Sequence, residues 1–513
     1  MKLFSAAQLH EADKITTKKH GITLVELMER GGTQIFNWLH HRMQGAQVPI
    51  HIFSGIGNNG GDGLVVGRLL IEHGYNVKVY VANFTDKRSK CFLINYDRIK
   101  TVTKDWPILM TSAHDFPEIK DEDIIIDALF GIGLNRPPEG WVKELIQYLN
   151  SKKSFKLSID IPSGMYANKA LTDAEAVLKA SHTLTFQAPK LSFFLPETGR
   201  FVPYFEVLEI GLDPEYLHTT EPIAQVIAKP EAQQFYKQRE KYAHKGSFGH
   251  TLVVAGSYGK MGAAVLTTKA AYRTGAGLVT AFVPESGYNI LQTAVPEAMT
   301  LTDAEDDLIT SIAIDFEPSS IAVGMGIGTK PETVKALGKL FKEAKEPLVI
   351  DADALNCIAA NDELLNHIPE LSVLTPHPGE LERLIGAWTD DYDKLEKTKS
   401  FAKQHNVIVV IKGANTIVVI EERLYINTTG NPGMATGGSG DVLSGMIAGL
   451  ISQGYDPLIA SVFGVYLHGS AGNLATQEIG FEALIAQDIV EHIGPAFLTL
   501  FAPEPTEQDA KNA

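Results

Sequence analysis

The sequence contains only two cysteines, Cys91 and Cys357, in 513 residues. They lie far apart in the chain, which gives neither a disulfide framework nor the spacing of a zinc site. This cysteine usage favours a protein of a reducing compartment.

Positive charge and long apolar runs are also scarce. The chain has 45 Lys and Arg residues against 61 Asp and Glu residues, a formal net charge of −16. This balance disfavours binding to nucleic acid or to an anionic membrane, so any phosphate ligand must be held by local donors. No apolar run reaches the roughly 18 residues that a membrane span needs, and the first residues become polar too early for a signal peptide. The sequence therefore predicts a cytoplasmic protein without nucleic-acid or membrane partners.

The length of the chain predicts two or three domains, since single hydrophobic cores rarely grow past roughly 250–300 residues. Between residues 212 and 242 the pattern breaks into Asp-Pro, Glu-Pro and Lys-Pro dipeptides and a charged stretch. We therefore predict a first domain over residues 1–216, a linker with a lead-in helix over 217–241, a second domain over 242–502 and a polar tail over 503–513.

In the first half, apolar strands alternate with helical spacing. Residues 48–55 predict a strand, residues 55–63 a glycine-rich turn and residues 64–73 a helix. Further buried strands of a parallel sheet are predicted over residues 76–82, 123–130 and 156–163. The pattern predicts a Rossmann-like three-layer α/β sandwich.

Three polar loops follow strands of this predicted sheet, at residues 58–62, 127–137 and 160–164. Because ligands of such sheets bind beyond the carboxyl ends of the strands, the three loops together predict a site. Asp127 and Asp160 each end an apolar strand, although an Asp in that place can also cap the next segment. The glycine-rich turn does not form a clean G-x-G-x-x-G fingerprint, so alone it indicates a tight turn as readily as a ligand site.

The second half contains the stretch that indicates chemistry most directly. Residues 431–441 (Asn-Pro-Gly-Met-Ala-Thr-Gly-Gly-Ser-Gly-Asp) precede an apolar run with helical spacing. Glycines let the backbone approach a ligand, a helix N-terminus attracts an anion, and Asp441 is suited to take a proton from a hydroxyl that attacks a phosphate. The stretch predicts phosphoryl transfer to an alcohol. The alternative is a tight turn with an Asp near the start of a helix.

Three more loops follow predicted strands of a second α/β domain. Residues 321–328 are rich in glycine, His377 and Glu380 lie in a Pro-bounded loop, and Lys412 follows a β-branched strand. Taken singly, such a His or Lys is more often a surface or satisfied polar residue. Four such loops in one domain, with residues 431–441, favour a common site.

The polar loops of the first half resemble the motifs of the NAD(P)H-hydrate epimerase domain. The resemblance implies that a hydrated nicotinamide cofactor contacts Asn58, Asn59, Gly60, Gly61, Asp62, Gly131, Ile132, Gly133, Leu134, Asn135, Arg136, Pro137 and Asp160. It also implies a potassium ion held by Asn59, Asp127 and Ser163. The substrate's hydroxyl lies on the carbon next to the ring nitrogen, so its configuration can invert by loss and return of the C–O bond. Asp160 is the candidate catalytic carboxylate for the accompanying proton transfer.

The loops of the second half resemble those of the NAD(P)H-hydrate dehydratase domain, which has a ribokinase-like fold. The resemblance implies that a nucleotide contacts Lys412, Gly413, Ala414, Asn415, Thr416 and Gly440. It implies that the hydrate contacts Ala264, Gly326, His377 and Asp441, with Asp441 as the catalytic base. One departure is Met325, where many members of the family have Pro.

Together the two resemblances imply a bifunctional enzyme that repairs hydrated NADH and NADPH (NADHX and NADPHX). The first domain would interconvert the R and S epimers. The second would convert the S form to NAD(P)H with Mg²⁺ and either ADP or ATP, and ADP would yield AMP and phosphate. Similarity to bacterial-type two-domain members favours ADP, and a homo-oligomer is expected. Two alternatives stay open: a kinase for a small vitamin-like alcohol, and a first domain that binds nucleotide without catalysis.

Overall fold

The computed structural model describes residues 1–503, so residues 504–513 of the predicted tail lie outside the described part. The chain divides into two compact units. The first unit consists of Lys2–Ala224 with Asp390–Tyr392, and the second contains Gln225–Thr389 and the chain from Asp393 onward.

Strands and helices alternate along the first unit. In chain order they are β1 (Lys2–Leu3), α1 (Ala6–His20), α2 (Leu24–Met43), β2 (Ile50–Ser54), α3 (Asn58–Glu72), β3 (Val77–Ala82), α4 (Lys90–Val102), β4 (Ile108–Met110), β5 (Ile124–Ala128), α5 (Gly140–Asn150), β6 (Phe155–Ile159), β7 (His182–Phe186), α6 (Pro196–Gly199), β8 (Phe205–Leu208) and α7 (Pro214–Thr219).

The sheet of the first unit is parallel, with strand order β4-β3-β2-β5-β6-β7-β8. Helices α2, α3 and α4 bury apolar side chains against one set of strand residues, and α5 does so against another. A parallel sheet needs cover on both faces, which explains why its strands are apolar throughout. The predicted Rossmann-like three-layer sandwich is confirmed.

The glycine-rich segment after β2 is not the turn that the sequence predicted. Helix α3 already begins at Asn58, so residues 58–63 form its first turns. A Cβ atom on Gly60 would lie 1.9 Å from the carbonyl oxygen of Gly55, and one on Gly63 would lie 2.6 Å from Cβ of Ala128. These glycines therefore allow the helix to pack tightly against the ends of β2 and β5, and the turn itself is short.

The second unit continues the alternation with more strands. In chain order its elements are β9 (Ala224–Ile227), α8 (Lys229–Phe235), β10 (His250–Val254), α9 (Met261–Thr274), β11 (Leu278–Val283), α10 (Tyr288–Ala294), β12 (Met299–Thr302), β13 (Ser320–Val323), α11 (Pro331–Glu343), β14 (Leu348–Ile350), α12 (Asp353–Ala360), β15 (Val373–Leu374), α13 (Pro378–Ile385), α14 (Asp391–His405), β16 (Ile408–Ile411), β17 (Ile417–Ile420), β18 (Arg423–Asn427), α15 (Ser439–Ser452), α16 (Pro457–Ile479) and α17 (Ala486–Thr499).

The second sheet is mixed. Its strands run in the order β12-β11-β10-β13-β14-β15-β16-β17-β18-β9, and β17 is antiparallel to both of its neighbours. Small residues let two helices approach closely beside it, since a Cβ atom on Gly445 of α15 would lie 2.3 Å from the carbonyl oxygen of Thr267 in α9. The resulting core of α9, α15, α16 and α17 supports the loop that precedes α15.

Two segments differ from their sequence-based descriptions. Residues 217–241, predicted as a linker with a helix, include strand β9, which pairs in parallel with β18. Helix α16 meets the length and composition of a membrane-spanning helix, which the sequence analysis did not expect. Ser, His and Asn residues divide its apolar residues into short runs. Its apolar window is 72% buried within the structure, which is the packing of a core helix.

Candidate active sites

A cavity of about 430 Å³ lies in the first unit at the carboxyl ends of β2, β5, β6 and β7. The predicted substrate-contacting residues that line it are Asn58, Asn59, Asp62, Gly131, Ile132, Gly133, Leu134, Asn135, Arg136 and Asp160. The structure thus brings all three predicted loops to one cavity. Of the remaining predicted contacts, Gly60 and Gly61 lie in the buried start of α3, and Pro137 follows the lining segment in the chain.

Asp160 is held in a constrained position on the wall of this cavity. Its backbone has a left-handed φ of +67°, a conformation that non-glycine residues adopt mainly where surrounding structure enforces it. Oδ1 of Asp160 lies 2.9 Å from Nζ of Lys190, which is almost completely buried. The ion pair with this buried ammonium fixes the orientation of the Asp160 carboxylate in the cavity.

The three predicted potassium ligands also meet. Nδ2 of Asn59 donates a hydrogen bond of 3.0 Å to the carbonyl oxygen of Phe130, and the Phe130 N–H donates to Oγ of Ser163 at 2.9 Å. Oγ of Ser163 in turn donates to Oδ1 of buried Asp127. Burial raises the pKa of Asp127, against the opposing effect of hydrogen bonds from Ser163 and Ser158. Oδ1 of Asn59 is buried and accepts no hydrogen bond within residues 1–503. This unsatisfied oxygen and its oxygen-rich surroundings fit an alkali cation.

A polar network in the second unit surrounds the start of α15. Nζ of Lys412 donates to Oδ1 of Asp351 at 2.8 Å, and Oγ of Ser444 donates to Oδ2 at 2.7 Å. Burial alone would raise the pKa of Asp351, but Lys412 and these hydrogen bonds hold it below its ordinary value. A Cβ atom on Gly440 would lie 3.2 Å from Nζ of Lys412, so the missing side chain keeps the cation next to the glycine loop.

Asp441 follows Gly440 in the first turn of α15, in the segment that the sequence predicted as an anion cradle. Burial, together with the nearby charge of Asp351, raises the pKa of Asp441 to about 7, while Lys412 opposes the shift. Gly438 begins the turn with a left-handed φ of +91°, a conformation that glycine adopts without strain. The site therefore has a carboxylate that titrates near neutral pH beside backbone N–H groups at a helix N-terminus.

His377 and Glu380 form the N-terminal cap of α13. Nδ1 of His377 accepts hydrogen bonds from the N–H groups of Gly379 (3.0 Å) and Glu380 (3.3 Å). The neutral ring therefore carries its proton on Nε2, which lies 3.4 Å from Oε1 of Glu380. Burial raises the pKa of Glu380. His377 is thus oriented by the backbone and remains half exposed for a ligand.

Of the other predicted contacts of the second unit, Ala264 is buried within helix α9 and the rest lie on loops. Gly326 has a left-handed φ of +70°, and a Cβ atom there would lie 3.1 Å from the carbonyl oxygen of Lys260, just before Ala264 of α9. Oγ1 of Thr267, one turn further along α9, donates to the carbonyl oxygen of Asp441 at 3.1 Å. The predicted nucleotide-binding residues Lys412, Gly413, Ala414, Asn415 and Thr416 form the accessible loop between β16 and β17.

Comparisons with known proteins identify both units. Residues 24–192 match the family described as YjeF-related protein N-terminus, and residues 251–495 match the family described as NAD(P)H-hydrate dehydratase. The bifunctional NAD(P)H-hydrate repair enzyme Nnr of Moorella thermoacetica is 34% identical over 96% of this chain and 96% of its own length. This chain belongs to the family of bifunctional NAD(P)H-hydrate repair enzymes. The Escherichia coli member is 32% identical over 91% of this chain and 88% of its own length.

Both matched ranges contain residues of the two sites described above. The N-terminal match over residues 24–192 includes Asp160 and most of the residues that line its cavity, and the dehydratase match includes Lys412 and Asp441. An ADP/ATP-dependent NAD(P)H-hydrate dehydratase from Bacillus subtilis, crystallised with ATP and Mg²⁺, is 27% identical and covers 54% of this chain and 99% of its own, with a TM-score of 0.48.

The sequence analysis did not predict that three charged residues belong to the two sites of this repair enzyme. They are Asp13, Lys190 and Asp351. Lys190 follows β7 and Asp351 directly follows β14, so both carry the signal that selected Asp127 and Asp160, a polar residue at the end of an apolar strand. Asp13 lies within helix α1 and lines the cavity, and nothing in the sequence of that helix distinguishes it from an exposed Asp.

Proposed function

We propose that this chain restores damaged nicotinamide cofactors in two steps. The first unit interconverts the R and S epimers of NADHX and NADPHX, and the second converts the S form to NADH or NADPH with ADP or ATP. The observation that carries the proposal is that one chain holds two separate acid–base sites, Asp160 with Lys190 in a cavity and Asp441 with Lys412 at a glycine loop. Similarity to full-length relatives of the repair family supports it.

In the second unit, Asp441 is proposed as the base that takes the proton of the hydrate's hydroxyl. The hydroxyl oxygen then attacks the terminal phosphate of the nucleotide, so ADP leaves as AMP and a phosphate ester forms on the ring carbon. The ring nitrogen's electron pair expels this phosphate, and loss of a proton from the adjacent carbon restores the dihydronicotinamide. Lys412 and the backbone of the glycine loop would stabilise the negative charge of the transferred group.

In the first unit, Asp160 is proposed to exchange a proton with the hydroxyl that leaves and returns at the same ring carbon. Asn59, Asp127 and Ser163 would hold a potassium ion, because hydrogen bonds through Phe130 link the three residues and Oδ1 of Asn59 is buried without a hydrogen-bond donor among the described residues. Bound there, the ion would supply a fixed positive charge beside the substrate loops.

Mg²⁺ is proposed to enter the second site with the nucleotide. Within residues 1–503 no cluster of three or more His, Cys, Asp or Glu side chains is arranged to hold a metal ion. Mg²⁺ commonly keeps several waters and binds through substrate phosphates with one or two carboxylates. The phosphate oxygens of ADP or ATP would therefore provide most of the Mg²⁺ ligands other than water.

The decisive experiment follows reduced-nicotinamide absorbance with a mixture of both NADHX epimers, K⁺, Mg²⁺ and either ADP or ATP. Wild type should convert the whole mixture, Asp441→Asn none of it, and Asp160→Asn only the S fraction during the early time course. Omission of K⁺ should resemble Asp160→Asn. Glu422→Gln, an exposed surface change away from both sites, is the matched control and should behave as wild type.

Two outcomes would contradict the proposal. A stable phosphorylated product without nicotinamide absorbance would indicate a kinase, and unchanged epimer use by Asp160→Asn would indicate a first unit that only binds nucleotide. The preference for ADP, the homo-oligomeric assembly and the cytoplasmic location stay predictions, which donor comparison, light scattering and cell fractionation would test.

A further inference from the structure

The cavity of the first unit contains more carboxylates than the proposed reaction has used so far. Asp13, Asp62 and Asp160 all line it, together with the ammonium of Lys190. Lys190 pairs with Asp160 at 2.9 Å and also donates to Oγ1 of Thr185 (2.8 Å) and to the carbonyl oxygen of Ala188 (2.9 Å). The carbonyl oxygen of Phe186 is a third fixed acceptor, at 3.3 Å, so the three protons of Lys190 are shared among Asp160 and these oxygens and none is donated to Asp13.

Asp13 faces the cavity from helix α1 and is half-buried. Within residues 1–503, its carboxylate takes part in no hydrogen bond or ion pair with another side chain or the backbone. A carboxylate that served only to hold the fold would be expected to have such partners, because an unpaired buried charge is costly. Its position instead leaves both oxygens available to a molecule in the cavity.

The protonation of Asp13 is coupled to the rest of the cavity. Burial, together with the nearby charge of Asp160, raises the pKa of Asp13 to about 7, against the opposing effect of Lys190. Burial also raises the pKa of Asp62 well above its ordinary value. The titratable and charged groups that line the cavity with Asp13 are His10, Asp62, Lys87, Arg136, Asp160 and Lys190. Near pH 7, Asp13 therefore holds a proton in a substantial fraction of molecules, beside the Asp160 carboxylate that is paired with Lys190.

We propose that Asp13 is a second proton-transfer residue of the first unit and works as a pair with Asp160 on the hydroxyl of the hydrated ring. The inference rests on the proposed epimerase function and deepens it. Asp13 gives its proton to the leaving oxygen as the C–O bond breaks, and the ring nitrogen's electron pair forms a C=N bond. Water then adds to the other face of that carbon and loses its proton to Asp160. The pair ends with its single proton on Asp160, which is the state required for the reverse reaction.

This pair differs from a single catalytic carboxylate in its dependence on pH. The pair must hold one proton, so the rate of epimer exchange should fall as pH rises above about 7, the pKa of Asp13. Substitution of Asp13 by Asn removes the proton that is lost in this range, and the fall should disappear with it. A residue that only supports the fold would not change the shape of the pH profile.

The test uses the full-length chain with purified R epimer, K⁺ and no nucleotide, so that the second unit consumes nothing, and follows the S epimer by chromatography. Asp13→Asn should lower the exchange rate by about 10²- to 10⁴-fold, the range typical of general acid–base residues. Glu11→Gln lies two residues away on the exposed side of α1 and should leave the rate unchanged. Asp13→Glu keeps a carboxylate, and should retain part of the rate and the fall above pH 7.

The outcomes separate the two proposals. If wild type exchanges no epimers, the epimerase function itself is wrong. If wild type exchanges them and Asp13→Asn matches Glu11→Gln, only the role of Asp13 is wrong. If circular dichroism shows that Asp13→Asn does not fold, the comparison of wild type with Asp13→Glu decides. A wild-type exchange rate that stays level above pH 7 overturns the role of Asp13. A rate that falls above pH 7 in both wild type and Asp13→Glu supports it.

Discussion

Asp441 gains its reactivity from its immediate surroundings. Burial raises its pKa to about 7 and the neighbouring carboxylate of Asp351 adds to the effect, while Lys412 limits it. A base with a pKa near the pH of the reaction combines a sufficient ionised fraction with enough affinity for the proton. The same carboxylate in an exposed loop would be ionised but a much weaker base.

This environment predicts the pH dependence of dehydration. With pure S epimer, Mg²⁺ and saturating nucleotide, kcat/KM for the hydrate should rise about tenfold per pH unit below pH 7 and level off above it, because only ionised Asp441 accepts the proton. Stopped-flow absorbance between pH 5.5 and 8.5 measures this profile. Glu422→Gln should give the same curve as wild type, whereas a flat wild-type profile would remove Asp441 from the role of base.

At the scale of elements, helix α3 depends on glycine for its position and not for a turn. The helix begins at Asn58, and its first residues pass so close to the backbone after β2 that a Cβ atom on Gly60 would lie 1.9 Å from the carbonyl oxygen of Gly55. Asn59 and Asp62 line the cavity from the first turns of this closely packed helix. The packing of α3 therefore sets the geometry of the site.

Gly60→Ala should consequently destabilise the first unit. Overpacking of this kind typically costs about 1–3 kcal/mol, and contact with rigid backbone places the expected loss at the upper end. Gly57→Ala is the matched control, since a Cβ atom there meets nothing within 4 Å and the residue has a negative φ of −91°. Urea denaturation of both variants measures the difference in the free energy of unfolding, and equal stabilities would contradict this account of α3.

At the scale of the whole molecule, each proposed reaction uses a carboxyl group with a raised pKa, and each unit contains one of these two groups. The pKa values of Asp13 and Asp441 are each raised from 3.8 to about 7. The folded state therefore binds these protons more tightly than the unfolded state between about pH 4 and pH 7, so both groups lower the free energy of unfolding as pH rises through this range. Function and stability are opposed at these two positions.

Asp13→Asn and Asp441→Asn should each stabilise the protein at pH 8 by up to about 4 kcal/mol, because a shift of about three pKa units corresponds to about 1.4 kcal/mol per unit. At pH 4 the advantage should vanish, because the wild-type carboxyl groups are then protonated in both states. Thermal unfolding at pH 4, 6 and 8 measures the trend, with Glu11→Gln and Glu422→Gln as controls. If both variants are instead less stable than wild type at pH 8, burial of the ionised carboxylates does not destabilise the folded protein.

Much of the architecture was predictable because its causes are local in the chain. Buried parallel strands need continuous apolar runs, so the runs ending at Asp127 and Asp160 identified the three-layer fold and two of its loops. The carboxyl ends of such strands meet at one edge of a sheet, which is why a polar residue after an apolar run indicated a site. The glycines and Asp441 before α15 indicated a helix N-terminus in the same way.

The remaining features depend on residues that are far apart in the chain and meet only through packing. Lys190 reaches Asp160 from the segment that follows the next strand of the sheet, and Ser444 reaches Asp351 from a helix 93 residues later. Asp13 lies on a helix whose polar pattern does not reveal which of its carboxylates will face a cavity formed by other elements. Burial is a property of all of these neighbours at once, so the raised pKa values that give Asp13 and Asp441 their proposed chemistry arise only in the folded chain.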